Sequence, residues 1–294
     1  MVLEQKVEEE VLAFSSGRSV YVFDDGKPFC IAHRPRIVRA LINYNGRLID
    51  SGNYEGVRDT LTGQVIAGET KAWNGLGIFS ELLCGSVANA EEDDYGIWDL
   101  NRDEVISSRN GQTTLLFGKL GEVLFDSGEY INYTDGPKLD YELMVYNDRT
   151  GLILDYPFTA GTWRSNRHYI VASNDRAIEY EFFDPPKFVK KILDLNRVRE
   201  GDMIISLAEV DKKIYFGTKI GFVGRLIETR RFSKAFDPRF NFENVLSCLP
   251  HSISAMTAVP KEVYDDGIKQ EIARRKFIRM KHALNAKSPI SRAA

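Results

Sequence analysis

Cysteine and histidine are scarce in this chain, which has three cysteines and four histidines among 294 residues. The cysteines, Cys30, Cys84 and Cys248, are far apart and odd in number, which excludes a disulfide framework, and their spacing is not that of a metal site. No stretch approaches the roughly 18 consecutive apolar residues of a membrane-spanning helix. We therefore expect three small buried thiols and no membrane span.

Other motifs that carry chemistry are also missing. The sequence has no glycine-rich phosphate loop, no His-Glu-x-x-His, no nucleophile elbow and no sialidase Asp box. These absences exclude the motif-bearing enzyme classes, so we expect no cofactor and no metal, and we assign no catalytic residue. The first ten residues carry four glutamates and no apolar run, which is unlike a secretory signal and favours a cytoplasmic protein.

The charge is distributed unevenly. The net charge is −3, but residues 1–266 carry −10 and residues 267–294 carry +7. An acidic body is therefore followed by a basic tail.

A ten-residue sequence pattern, which we call the ten-residue phrase, occurs six times along the chain. Each copy opens on a β-favouring residue and closes on an apolar one, and four copies have Gly or Asp at the seventh position, where a hairpin turn needs tolerance of positive φ. Successive copies begin 37, 40, 48, 35 and 43 residues apart, which is the spacing of propeller blades. The copies are Val20–Phe29, Val57–Ile66, Ile97–Ile106, Val145–Leu154, Tyr180–Val189 and Val223–Phe232.

A second pattern precedes the phrase, with a small residue at the third place of an apolar segment. It occurs at Val38–Leu41, Ile78–Glu81, Ile204–Leu207 and Ile253–Met256. Inner strands of a propeller converge on its axis, where large side chains on every blade would not fit. These segments are therefore predicted to be inner strands.

Together the two patterns predict an all-β, six-bladed β-propeller, with seven blades as the nearest alternative. Pairing strands from both ends of the chain would close the ring and remove its exposed edges. We predict a propeller over 1–267 and a basic helical tail over 268–294. The predicted units are Ile37–Ile66, Ile78–Ile106, Gln112–Leu154, Thr162–Val189 and Met203–Phe232, and a sixth made of Ser252–Gly267 and Val11–Ile31.

Within the phrase, Tyr95–Leu100 contains a Trp-Asp pair, and Gly56–Gly63 and Val145–Gly151 both end in Thr-Gly. These residues resemble the third strand of WD-repeat propellers. The resemblance covers about residues 11–267 and implies a rigid platform that assembles other macromolecules. No Gly-His dipeptide occurs, so the hydrogen-bonded tetrad of WD repeats is not carried over to any blade.

After Gly267 the apolar period changes. Ala273, Phe277, Met280 and Leu284 follow helical spacing, which predicts a helix from about Ile268 to Leu284 with a basic opposite face. One interpretation is that this stripe docks on the propeller. The other is that the helix tethers a protein, an acidic membrane or a nucleic acid.

Candidate binding residues fall in three places. Arg39, Glu81, His168 and His251 are predicted to lie at or near inner strands, where the channel mouth would bring them together. An insertion over 232–249 carries three phenylalanines that either bind a partner or pack the loop. The full set is Arg39, Glu81, His168, His251, Phe236, Phe240, Phe242, Arg274, Arg275, Lys276, Arg279 and Lys281.

Three functions stay open at this point. The first is a non-enzymatic platform for protein partners, acting through the channel rims, the loop 232–249 and the C-terminal helix. The second is a propeller hydrolase acting on a carbohydrate or lactone at the channel mouth. The third is a nucleic-acid or ribonucleoprotein factor that binds through its tail, because clustered Lys and Arg neutralise phosphates.

Overall fold

A computed structural model of the protein describes most of the chain. The described residues are 9–24, 26–52, 54–68, 71–79, 82–87, 96–108, 114–120, 123–131, 139–147, 152–154, 160–163, 168–173, 176–181, 187–194, 201–227, 242–246 and 249–287.

The described part contains 24 strands and one helix. In chain order they are β1 (Glu10–Ser16), β2 (Ser19–Asp24), β3 (Lys27–His33), β4 (Val38–Tyr44), β5 (Arg47–Gly52), β6 (Val57–Asp59), β7 (Val65–Ala67), β8 (Trp73–Phe79), β9 (Leu82–Val87), β10 (Gly96–Asp99), β11 (Glu104–Ser108), β12 (Thr114–Leu120), β13 (Val123–Ile131), β14 (Leu139–Asn147), β15 (Leu152–Leu154), β16 (Ala160–Trp163), β17 (His168–Ser173), β18 (Arg176–Glu181), β19 (Lys187–Asp194), β20 (Ile204–Val210), β21 (Lys213–Thr218), β22 (Val223–Leu226), β23 (Phe242–Leu246), β24 (Ile253–Pro260) and α1 (Lys261–Lys287).

The strands form six antiparallel four-stranded sheets. Five use four consecutive strands each, beginning at β4, β8, β12, β16 and β20, and the sixth has the order β24-β1-β2-β3. The first strand of each sheet touches the first strand of the next, from β4 through β8, β12, β16, β20 and β24 back to β4. The fold is thus all-β and propeller-like, with a C-terminal helix, as the sequence predicts.

The core lies between neighbouring sheets. One cluster joins Phe14 of the sixth sheet to Tyr215 and Val223 of the sheet before it, and another joins Val20 of the sixth sheet to Leu48 of the sheet after it. Sheets that pack face to face bury both of their faces, so their strands read as nearly continuous apolar runs. In β1, for example, every residue after Glu10 is buried.

The two ends of the described chain pair with each other. Strand β1 runs antiparallel to β24, with Glu10 opposite Pro260 and Phe14 opposite Met256. The predicted pairing of N-terminal and C-terminal strands is therefore confirmed. One C-terminal strand contributes to this sheet, together with three N-terminal strands.

In the first five copies the ten-residue phrase spans parts of the third and fourth strands of a sheet. In the sixth copy, Val223–Phe232, only the third strand falls within the phrase, because the fourth strand is Phe242–Leu246. Gly26, Gly63 and Asp103, which stand at the seventh position of the phrase, have φ angles of 86°, 73° and 56°. The structure confirms the expected positive φ at these three places. The seventh position of the fourth such copy, Gly151, lies outside the described residues.

Three predicted boundaries are wrong. The unit predicted over Met203–Phe232 extends further, because its fourth strand is Phe242–Leu246, within the stretch 232–249 that was predicted to be an insertion. The inner strand of the second unit is β8, which begins at Trp73 and ends at Phe79, so the small residue near its start is Gly75 and not Ser80. The helix begins at Lys261 and not at Ile268, because Val263 and Gly267 bury one helical face four residues apart. The predicted half-unit Ser252–Gly267 therefore contributes one strand and the start of the helix, on which Asp265 and Asp266 are exposed.

Candidate interaction surfaces

The first turns of α1 dock on β3, the outer strand of the sheet β24-β1-β2-β3, which we call the closing sheet because it joins strands from both ends of the described chain. Val263, Gly267 and Glu271 are buried and lie four residues apart, so they share one helical face. Val263 joins the apolar cluster that contains Ile31 of β3. A Cβ atom built on Gly267 would lie 2.8 Å from Cγ2 of Ile31, so this glycine permits the close approach.

A buried carboxylate marks the end of the docked segment. Oε2 of Glu271 accepts a hydrogen bond from Nε of Arg274 at 2.7 Å, and Oε1 accepts one from Nε of Arg275 at 2.8 Å. Burial raises the pKa of Glu271, but the two guanidinium groups outweigh it and hold that pKa below its usual value. The guanidinium of Arg275 also lies over the ring of Phe29, 5.7 Å from its centroid.

Beyond Glu271 the helix leaves the body. All residues from 272 to 282 are exposed, and they include the large apolar side chains of Ile272, Phe277, Ile278 and Met280. Phe277 is 66% exposed and Met280 is 64% exposed. We call residues 272–287 the distal segment of α1.

The predicted apolar stripe is not the docking face. At about 100° per residue, the stripe of Ala273, Phe277 and Met280 is rotated by roughly 110° from the face formed by Val263, Gly267 and Glu271. Docking and stripe are therefore two separate features of one helix. The interpretation that this stripe covers the propeller is wrong for Ala273, Phe277 and Met280, which are exposed.

A second surface lies at the end of the sheets where the inner strands begin. Hydroxyl groups link neighbouring sheets there: Oγ of Ser206 donates to the carbonyl of Ile253 at 2.6 Å, and Oγ of Ser254 donates to the carbonyl of Val38 at 2.7 Å. These bonds place the starts of β20, β24 and β4 at one rim. Ser206 is the small residue that was predicted for the inner strand β20, but its hydrogen bond to the next sheet had no signal in the sequence.

Arg39 belongs to this rim. It is the extra residue of a β-bulge between Val38 and Ala40, and it is exposed. The same irregularity occurs near the start of β8 and of β20, between Trp73 and Gly75 and between Ile204 and Ser206. Bulges re-aim side chains, so the fold gives these inner strands a distinct residue at the rim.

His251 also lies at this rim, because it precedes β24 and is exposed. Its carbonyl accepts a hydrogen bond from Oγ of Ser16 at 3.0 Å. A Cβ atom on Gly17 would lie 2.7 Å from its ring, so the imidazole packs on the turn between β1 and β2.

The four candidate channel residues are not all brought together. His168 begins β17, the second strand of its sheet, and it pairs with Glu181. Because neighbouring strands are antiparallel, the backbone of His168 lies at the opposite end from the start of the inner strand β16. The expectation that His168 shares an inner-strand start with His251 is therefore wrong. Glu81 lies outside the described residues.

The phenylalanine loop is described only at its end. Phe236 and Phe240 lie outside the described residues. Phe242 is in β23, where its ring makes edge contacts with Phe216 at 5.5 Å and Phe222 at 5.9 Å between centroids. Phe242 thus packs on the core, which is the structural role that the sequence analysis left open.

The rim also exposes apolar residues that sequence reasoning missed. Ile37 precedes β4, Tyr54 follows β5, and Ile220 lies between β21 and β22 and is 56% exposed. The guanidinium of Arg36 lies 5.6 Å from the ring centroid of Tyr54. The available signal was large apolar residues in short loops, where polar residues are usual.

Within the described ranges, no group of three or more His, Cys, Asp and Glu side chains is arranged to hold a metal ion. In the same part of the chain, no helix is long and apolar enough to cross a membrane.

The fold and its surfaces define an all-β, propeller-like protein with a docked helix whose distal segment projects from the body. No protein-family model matches the chain, and no curated protein matches it. The chain is similar to a number of solved structures, among them two that each have a TM-score below 0.5.

The first is the computationally designed Ika8 protein, with 14% identity over 76% of this chain and 72% of that chain, and a TM-score of 0.42. The second is the extracellular domain of a hybrid two-component system, BT4673, from B. thetaiotaomicron, with 8% identity and a TM-score of 0.48. This match covers 87% of the present chain and 36% of the length of the BT4673 structure, so the chain spans about a third of that structure.

Proposed function

We propose that the protein is a non-enzymatic platform that binds protein partners. The supporting observation is the distal segment of α1, which carries Ile272, Phe277 and Met280 in solvent although the same helix has a separate face that docks on the body. Contiguous exposed apolar side chains are typical of interaction sites. The apolar residues of the rim, Ile37, Tyr54 and Ile220, supply a second candidate surface.

We further infer that the six sheets are the blades of one closed, WD-repeat-like propeller. The contacts between successive first strands and the hydroxyl bonds at the rim support this inference. A closed ring has no exposed inner edge, so it presents its rims and loops as rigid surfaces. Such a scaffold suits the assembly of other proteins.

The test is quantitative affinity purification of the tagged full-length chain at moderate salt. The wild-type protein is compared with Phe277→Ala/Met280→Ala and with a rim variant, Ile37→Ser/Ile220→Ser. We expect a defined set of proteins with the wild type and the loss of part of that set in at least one variant. Identical recoveries from the wild type and from both variants would refute the platform.

A further inference from the structure

The distal segment of α1 has the pattern of one strand of a coiled coil. Ala273, Phe277, Met280 and Leu284 are spaced by four, three and four residues, which places them at the d, a, d and a positions of heptads. The described members of this seam, Ala273, Phe277 and Met280, are exposed, and they lie roughly 110° around the helix from its docking face. The seam is therefore open to a second helix.

Four of the five positions that flank this seam carry a positive charge, and the fifth, Ala283 at a g position, is uncharged. Lys269 and Lys276 take the other g positions, and Arg274 and Lys281 take the e positions. Residues at e and g select the partner of a coiled coil through interhelical ion pairs. Glu271 is the single acidic residue in 267–294. Its side chain lies on the docking face of the helix and forms ion pairs with Arg274 and Arg275.

This charge pattern decides between occupants. A second copy of α1 would set lysine and arginine against lysine and arginine, which repels. An acidic amphipathic helix would instead place Asp or Glu opposite Lys276 and Lys281 and its apolar residues on the seam. The other two flanking cations already have partners within α1, because Lys269 pairs with Asp266 and Arg274 with Glu271. The cations Lys276 and Lys281 have no ion-pair partner among the described residues, so they are available for such pairing.

We propose that the distal segment of α1 pairs with an acidic amphipathic helix of a partner protein, as one strand of a heterotypic coiled coil. The proposal rests on the proposed function and specifies the partner's chemistry. Docking through Val263 and Gly267 holds the helix on the body, so the distal segment is presented in a fixed direction. Its pairing then needs less ordering than that of a free peptide would.

The experiment uses the full chain and two synthetic three-heptad peptides. Both have leucine at a and d, and one has glutamate at e and g whereas the other has lysine there. We expect the glutamate peptide alone to bind by fluorescence anisotropy, with an affinity that falls as salt rises. The variant Phe277→Ala/Met280→Ala should weaken binding by about tenfold or more because the seam loses its apolar contacts.

Charge reversal provides the decisive comparison. Lys276→Glu/Lys281→Glu should lose the glutamate peptide and gain the lysine peptide. Lys213→Glu/Lys219→Glu, a matched change at exposed lysines of the body, should bind like the wild type. All these positions are exposed, and circular dichroism checks that each variant is folded.

Anionic vesicles and double-stranded DNA serve as competing probes. The proposal is overturned if the glutamate peptide does not bind, if both peptides bind equally, or if vesicles or DNA bind more tightly than the peptide. If the glutamate peptide does not bind but affinity purification still recovers partners that the rim variant loses, the coiled-coil proposal is rejected and the proposed platform function is retained. If neither experiment detects binding, both proposals are rejected.

Discussion

Single residues set the geometry of the hairpins between first and second strands. Asp211 and Lys212 connect β20 to β21 with φ angles of 48° and 63°, and Asn45 and Gly46 connect β4 to β5 with 52° and 74°. Two successive positive φ angles define the turn that matches the twist of a two-residue hairpin. Asn-Gly suits this turn, whereas a lysine in the left-handed region costs about 1–2 kcal/mol.

Lys212→Gly should therefore stabilise the protein. We expect the free energy of unfolding in urea to rise by about 0.5–1 kcal/mol, since relief of the left-handed strain exceeds the added entropy of the unfolded chain. The matched control is Lys213→Gly, which places glycine in β21 and should lower the free energy by about 0.5–1 kcal/mol. Equal effects of the two changes would show that strain at Lys212 is negligible.

Two buried carboxylates link stability to pH. Burial raises the pKa of Asp59, but the Thr62 amide and the Arg47 guanidinium outweigh it and hold that pKa below its usual value of 3.8. The pKa of Glu271 is lowered from 4.5 in the same way. A carboxylate whose pKa is lowered on folding stabilises the protein above its unfolded pKa, and this stabilisation is lost as pH falls through the folded value.

The urea midpoint should therefore fall as pH is lowered from about 5 to 3. Asp59→Asn removes one of the two groups, so its midpoint should depend less steeply on pH over the same range. The control is Asp103→Asn, at an exposed turn position, which should keep the wild-type slope. If the urea midpoint of Asp59→Asn depends on pH as steeply as that of the wild type, Asp59 does not contribute to the pH dependence of stability.

At the scale of elements, α1 combines two roles in one continuous helix. Its first part buries Val263 and Gly267 against the closing sheet, and its distal segment exposes Phe277 and Met280. Stability should therefore depend on the first part only.

Two truncations separate these roles. A chain ending at Pro260 lacks the docked face and should lose about 2–4 kcal/mol of unfolding free energy, because the apolar cluster around Ile31 becomes exposed. A chain ending at Lys276 keeps Glu271 with its two arginines and should stay within about 0.5 kcal/mol of the full chain. Thermal and urea unfolding measure both. Similar losses in the two truncations would assign a stabilising role to the distal segment.

At the scale of the whole molecule, the closing sheet joins strands from the two ends of the described chain. Strand β1 lies between β24 and β2, and its Phe14 is fully buried and stacked on Tyr21 with 5.3 Å between ring centroids. The same side chain belongs to the cluster that joins the closing sheet to its neighbour. Truncation of Phe14 should therefore weaken the packing of the closing sheet against its neighbour.

Phe14→Ala should lower the free energy of unfolding by about 3–5 kcal/mol, the cost of a buried aromatic truncation. Phe277→Ala, at the exposed counterpart, should change it by less than about 0.5 kcal/mol. Limited proteolysis gives a second readout, in which Phe14→Ala should be cut earlier than the wild type. Equal stability of the two variants would argue against closure through β1.

The sequence predicted the fold wherever a local rule applied. Gly26, Gly63 and Asp103 stand in turns that need positive φ, and their regular spacing was enough to place third and fourth strands. The same reasoning failed at Trp73, because small residues at both Gly75 and Ser80 allowed two frames for the inner strand. Sequence reasoning also failed to place Val263 in the helix, because Gly267, which lies on the same helical face, has no apolar side chain to extend the helical pattern of apolar residues.

The candidate site was less predictable because it depends on which elements become neighbours. His168 was predicted to lie near the start of an inner strand, but it begins the second strand of its sheet. Because the first and second strands are antiparallel, the start of the second strand lies at the opposite end of the sheet from the start of the first. Arg39 and His251 were placed at the correct strand starts. The apolar rim residues Ile37 and Ile220 gave no periodic signal, since each stands alone in a loop.

The amino-acid sequence by itself determined the repeating sheets, the positions of their turns and the heptad of the C-terminal helix, because periodicity and turn chemistry act between residues close in the chain. Only the tertiary structure decided which helical face docks. That choice depends on Ile31 and its neighbours in β3, more than 200 positions away from the helix in the chain. Contacts over such separations are set by burial in three dimensions, which leaves Phe277 and Met280 outside.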